Sequence, residues 1–176
     1  MNAQRIDPRD ISLRIALGAV DLAELRLDDC VHRCTEALKI APNDPCLLHL
    51  RGHARWQQGD ILAALADFSE CIAADRTRPI GYRSRAAIYK WFGKFKPALK
   101  DLNEAIRTAP AIAGQYAERA AVRQALGDAQ GAAADYQIAV TLNPRDVASA
   151  QALRHLEVPT VSLNVDQIGS GARLPR

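Results

Sequence analysis

Apolar positions recur along the chain at helical spacing, in paired stretches of about a dozen residues each. Between residues 79 and 112, Tyr82, Ala86 and Tyr89 mark one face of a first stretch. Ala98, Leu102, Ala105 and Ile106 mark one face of a second, and Gly93 and Lys94 lie between them. A glycine there supplies the positive φ on which a helix ends, so the segment reads as an antiparallel helix pair, A then B. The pattern returns every 34 residues, in Gly59, Gly93 and Gly127, in Ala64, Ala98 and Ala132, and in Phe68, Leu102 and Tyr136. Pro42, Pro110 and Pro144 keep the same register. The units are 11–44, 45–78, 79–112 and 113–146. A fixed period of this size marks a stacked array, in which one pair cannot bury its apolar face alone and about three are needed for stability. Such an array offers a binding surface rather than an active site.

Helix starts agree with this register. Asp7-Pro8 and Asp44-Pro45 each place a capping acid before a proline at the first helical position. Asn143-Pro144-Arg145-Asp146 repeats the arrangement and predicts a further helix over about 144–157, with Ala150, Leu153 and Leu156 on one face. That helix would cap the last apolar face of the array. Residues 1–157 are therefore expected to form the folded domain, and 158–176 an extended or disordered tail.

The residue types at fixed positions of the unit resemble those of the tetratricopeptide repeat (TPR) family. Numbering each unit from 1, that family favours small residues at 8 and 20, an aromatic at 24, Ala at 27 and Pro at 32. The third unit supplies Ala86, Ala98, Leu102, Ala105 and Pro110, and the fourth Ala120, Ala132, Tyr136, Ala139 and Pro144. The second has Gly52, Ala64 and Phe68 but Cys71 and Arg76 at 27 and 32. The first keeps Gly18, Ala37 and Pro42 but has Leu25, Cys30 and Cys34 at 15, 20 and 24. The resemblance implies an all-α fold, a right-handed α-solenoid of four TPR-like helix pairs plus a C-terminal capping helix. Small residues at 8 and 20 let two helices approach, and the residue at 24 fills the gap.

A charged pattern runs through the last three units. Arg51, Arg85 and Arg119 stand at position 7, and Asp67, Asp101 and Asp135 at position 23. Acid and base travel together, which points to structural ion pairs across helices A and B rather than to ligand-binding arginines. The first unit breaks both positions, with Leu17 and Arg33. Cys30, Cys34 and Cys71 fall at small apolar sites, where free cysteine acts as a small hydrophobe. Met1–Asp10 is charged and does not read as a secretory segment, so a reducing, cytoplasmic setting is expected.

The TPR resemblance implies that positions 2, 5, 9, 12 and 13 of helices A face a concave groove. They supply His49, His53 and Trp56 from the second unit, Arg83, Lys90 and Trp91 from the third, and Gln124 from the fourth. Ile15 and Ala19 of the first unit, Cys46 of the second and Ile80 of the third take groove positions as well. Trp and Arg are the side chains most enriched among binding hot spots, so these are the candidate peptide-binding residues. The third unit is basic and the first acidic beneath an overall charge of +3, which would steer an acidic segment to the centre.

Cys46, His49 and His53 share a helix face, yet one helix rarely supplies three ligands with tetrahedral directions, and no metal is expected. No nucleophile elbow or phosphate loop appears, so neither catalysis nor a cofactor is expected. The positions at which some TPR proteins clamp a chaperone's terminal carboxylate hold Ile15, Ala19, Leu50, Ile80 and Ser84 in units one to three. In units two to four they hold His49, His53, Ser84, Gly114 and Glu118, and neither set supplies the clamp. The expected function is a non-catalytic adaptor binding an acidic or apolar peptide, with neither nucleic acid nor a membrane as partner. The alternative is a scaffold that self-associates into a homo-oligomer through its edges and tail.

Overall fold

The computed structural model describes residues 8–156. The Asp7 cap and the 158–176 tail expected above lie outside the described residues. Two compact units divide at Ile88/Tyr89, inside the fifth helix. The first holds α1 (Pro8–Ala23), α2 (Leu27–Ile40), α3 (Pro45–Gln57), α4 (Ile61–Ala74) and most of α5 (Pro79–Trp91). The second holds the end of α5, then α6 (Phe95–Thr108), α7 (Ala113–Ala125), α8 (Ala129–Leu142) and α9 (Val147–His155). Every regular element among the described residues is an α-helix, and the arrangement is that of an α-solenoid: four helix pairs and a capping helix. No helix of the described residues is long and apolar enough to cross a membrane.

The period is visible in the helix starts, since α3, α5 and α7 begin at Pro45, Pro79 and Ala113, and α2, α4, α6 and α8 keep the same step. The A–B turns close on Gly59, Gly93 and Gly127 with φ of 85°, 66° and 82°. In the first repeat Leu25 takes this place with φ 58°, the sole non-glycine residue of positive φ among the described residues. Asp44 accepts from the backbone N–H of Cys46 and Leu47 and caps α3, with Pro45 at its first position.

In the first unit Cys30, Cys34, Ala37, Leu47, Leu48 and Cys71 form a buried core against which Ile11, Ile15, Leu50 and Ile80 pack. A second cluster joins Ala64, Phe68 and Ile88, with Trp56 half-buried against it. The four cysteines are free, and three of them are buried as small apolar groups. Burial pushes the Cys71 thiol up to about 11.

In the second unit Leu153 of α9 and Leu156 just past its end close over Ala120, Ala132, Ala133 and Tyr136, the capping contact expected from their spacing. The start of this helix differs from the sequence reading. Asn143 ends α8 and accepts from the Arg145 N–H in a short turn, while Asp146 caps α9 by accepting from Ser149. A capping side chain at Asp146 competes with one at Asn143, and the cap nearer the apolar run prevails.

Candidate functional site

The A helices that carry the site are held against the B helices by buried carboxylates. Asp67 receives Arg51 at 2.7 Å and Arg55 at 2.8 Å, as the position 7 and 23 pattern predicts for the first of these. Asp135 receives Arg119 at 2.7 Å and Arg123 at 2.9 Å. Arg85 donates to Ser69 Oγ at 3.0 Å, and Asp101 is buried. The first repeat has the inverse arrangement. Asp21 on α1 is buried and receives Arg33 of α2 at 2.7 Å and Arg26 at 2.6 Å. The Arg33 guanidinium, aided by Arg26, holds the Asp21 carboxyl below its usual range.

So anchored, α1, α3 and the start of α5 enclose a cleft of about 400 Å³ in the first unit. Ile15 and Ala19 form one wall, Pro45, Cys46, His49 and Leu50 the base, and Arg78, Pro79 and Ile80 the other wall. Five of these, Ile15, Ala19, Cys46, His49 and Ile80, stand at the groove positions named from sequence. Leu50 and Arg78 were not among them, since they stand at positions 6 and 34 of the second repeat. Arg78 donates to Cys46 Sγ at 3.1 Å, which places a cation at the rim of an otherwise apolar space.

At the base of this cleft His49 converges with His53 on one hydroxyl, each Nε2 lying 3.1 Å from Ser84 Oγ. A neutral pair satisfies this when the hydroxyl donates to one ring and accepts from the N–H of the other. The two rings meet edge to face at 4.5 Å, and Phe68 and Trp56 close around them. Burial, with the neighbouring His53 and the Arg83 guanidinium, pushes His49 down to about 4. Burial lowers His53 also. The imidazoles thus stay neutral at ordinary pH and serve as polar packing under the cleft. Cys46 turns to Arg78 while both histidines turn to Ser84, and no group of three metal-binding side chains exists among the described residues.

The remaining candidates are distributed differently. Arg83 is half-buried on α5, beside His49. Lys90 and Trp91 are exposed at the end of the same helix. Gln124 is exposed on α7 and accepts from the Tyr136 hydroxyl at 3.4 Å.

No family model matches the chain. Among curated proteins, mouse RNA polymerase II-associated protein 3 is 26% identical over 137 residues, 78% of this chain and 21% of that protein. Wheat Hsp70-Hsp90 organizing protein is 30% identical over 94 residues, 53% of this chain and 16% of that protein. The chain thus spans about a fifth of these relatives or less. Among solved structures, the first TPR of Spaghetti, bound to HSP90 peptide SRMEEVD, is 27% identical with a TM-score of 0.61, covering 64% of this chain and 89% of that one. A TPR protein of Thermus thermophilus matches at 24% identity and TM-score 0.68, over 83% of this chain and 80% of that one. The MamA protein matches at 17% identity and TM-score 0.72, over 83% and 80% of the two chains.

The fold and the 34-residue repeat are those of tetratricopeptide repeat proteins. Within the TPR frame the first-unit cleft lies on helices A, and the positions where a carboxylate clamp would put charge hold apolar side chains. Ile15, Ala19, Leu50 and Ile80 all line it. A sequence signal for Ser84 existed in its register, one turn past Ile80 on the same helix face, but a lone serine gives no hint that two imidazoles share it.

Proposed function

We propose that this TPR protein is a non-catalytic adaptor that takes an extended peptide segment into the first-unit cleft, an apolar side chain of the peptide serving as anchor. The observation that carries this reading is the apolar cleft of about 400 Å³ formed by Ile15, Ala19, Leu50 and Ile80. Its volume lies in the range of specific small-ligand sites. Arg78 at the rim and Arg83 nearby favour an acidic residue beside the anchor. A related TPR domain binds an HSP90 peptide ending in acidic residues, which supports a peptide partner here as well.

The test is selection from a random peptide library on the purified protein, followed by affinity measurement against an Ala19→Trp variant. Ala19 is exposed on the cleft wall, so the indole fills the space without entering the core. Peptides with an apolar anchor and a neighbouring acid are expected, weakened tenfold or more by the substitution. Peptides that bind both proteins alike would remove the cleft from the account.

The alternative, self-association, is favoured by α1, whose Leu13, Leu17 and Val20 follow one another at helical spacing and are all exposed. Sedimentation velocity of the full chain with and without Leu17→Asp decides it: a dimer that the substitution dissolves supports this reading.

A further inference from the structure

The A–B turn of the third repeat is unlike its counterparts. Lys90, Trp91, Phe92, Gly93 and Lys94 are five consecutive exposed residues, with Trp91 78% and Phe92 52% accessible. The equivalent pairs in the other repeats are Ala23-Glu24, Gln57-Gln58 and Ala125-Leu126. An exposed aromatic pair at the tip of a turn adds little to the packing of the solenoid. It is an apolar group held out in water.

The charge around it is equally uneven. The chain has five lysines among its 23 basic side chains, and four of them, Lys90, Lys94, Lys96 and Lys100, fall within this turn and the first turns of α6. All four are exposed, and no acid interrupts residues 89–100. Elsewhere, Lys39 apart, the basic residues are arginines, several of them in fixed ion pairs such as those to Asp67 and Asp135. The distinction is physical. Arginine forms bidentate bonds to carboxylates and is enriched in protein interfaces, whereas lysine is a hydrated point charge depleted from them. A cluster of lysines around two protruding aromatics therefore suits a diffuse anionic plane better than a shaped protein surface. Trp is at home at the boundary of headgroups and acyl chains.

We propose that the Lys90–Lys100 turn of the second unit docks on an anionic lipid surface, Trp91 and Phe92 entering the headgroup boundary and the four lysines meeting acidic headgroups. The sequence reading had given Lys90 and Trp91 to a peptide groove and expected no membrane partner; this proposal gives them a lipid surface instead. A single aromatic pair with a basic patch gives reversible, salt-sensitive attachment rather than insertion.

The test uses the full chain in a Trp56→Phe background, so that Trp91 is the sole emitter. Vesicles of phosphatidylcholine alone and of phosphatidylcholine with phosphatidylserine are titrated at low and high salt. The expected result is a blue shift of Trp91 and co-sedimentation with the phosphatidylserine vesicles only, both lost at high salt. Each Lys→Ala at 94 or 96 weakens partitioning about fivefold. Trp91→Ala with Phe92→Ala, assayed by sedimentation in the native Trp56 chain, abolishes it with helicity unchanged, since these side chains are exposed. No shift with anionic vesicles, or binding that survives these substitutions, overturns the proposal. A Trp91 shift with polyglutamate and none with vesicles also overturns it, in favour of an acidic protein segment.

Discussion

The first repeat and its later copies hold the same kind of buried carboxylate on opposite helices. In the second and fourth repeats the acid is on helix B, at Asp67 and Asp135, and arginines reach it from helix A. In the first repeat the acid is Asp21 on helix A, and Arg33 reaches it from helix B. Asp21 and Arg33 stand at the positions that Arg55 and Asp67 occupy one repeat later. What the fold requires is an ion pair at that crossing, not a given charge on a given helix. The surroundings differ too: the Arg119 side chain is 7% exposed, whereas Arg33 and Arg26 are 34% and 47% exposed.

That difference predicts unequal losses. Asp135→Ala strands two guanidinium groups, one of them largely buried, and is expected to cost about 3–5 kcal/mol in urea unfolding. Asp21→Ala leaves arginines that water can reach, and about 1–2 kcal/mol is expected. Equal losses would show that burial of the arginine is not what separates the two sites. Exchanging the pair, Asp21→Arg with Arg33→Asp, gives the first repeat the polarity of the others. The exchange is expected to be less destabilising than either single substitution, a coupling that a double-mutant cycle reads directly.

Packing at position 8 draws the same contrast. A Cβ on Gly52 would lie 2.7 Å from the Phe68 ring, while one on Gly18 would lie 3.2 Å from the Cys34 sulfur. The later repeat has a large residue at position 24 and no room opposite it; the first has a small one and some slack. Gly52→Ala is expected to lose about 2 kcal/mol by overpacking. Gly18→Ala is expected to be near neutral, its tight contact offset by about 1 kcal/mol of helix propensity. Thermal unfolding of the two variants side by side checks this.

Legibility followed the same line. The helix pairs, the turns and the cap could be read because Gly59, Phe68, Ala64 and their copies each answer a local steric demand that recurs with the period. The Arg51–Asp67 and Arg119–Asp135 pairs could be read for the same reason. The Asp21–Arg33 pair could not, because a search by position treats a reversed charge as a loss. Spacing was the signal available: Asp21 and Arg33 are as far apart in sequence as Arg55 and Asp67. The cleft was half legible, since Ile15, Ala19, Cys46, His49 and Ile80 followed from the register. Arg78 and Leu50 were missed because lining residues off the groove register depend on how neighbouring helices pack, and Trp56 proved half-buried for the same reason.

The histidines of the second repeat give that cleft a pH signature with no counterpart in the first repeat. His49 is held down to about 4 by burial, from an ordinary value near 6.5. A depressed value means the unfolded chain binds the proton first. The contribution of neutral His49 is complete above pH 6.5 and is lost as pH falls toward 4, with about 2 kcal/mol expected. His53 adds to the fall in the same direction. Urea midpoints between these pH values should drop, and His49→Gln, which keeps a partner for Ser84 and cannot titrate, should flatten much of the slope. A native profile that is already flat would sink the idea.

Leu25 is the smallest and most local of these contrasts. Where three repeats turn on glycine, the first turns on leucine at φ 58°, with its side chain largely exposed. A Cβ in the left-handed region costs about 1–2 kcal/mol, and the exposed leucine recovers little of it by packing. Leu25→Gly removes that strain but adds freedom to the unfolded chain, so a net gain of about 1 kcal/mol is expected. For a chain of this size that is a rise of about 2–4 °C in Tm. A fall in Tm would mean that Leu25 buries more against its neighbours than its exposure allows. The first repeat would then owe its divergence to packing rather than to tolerance.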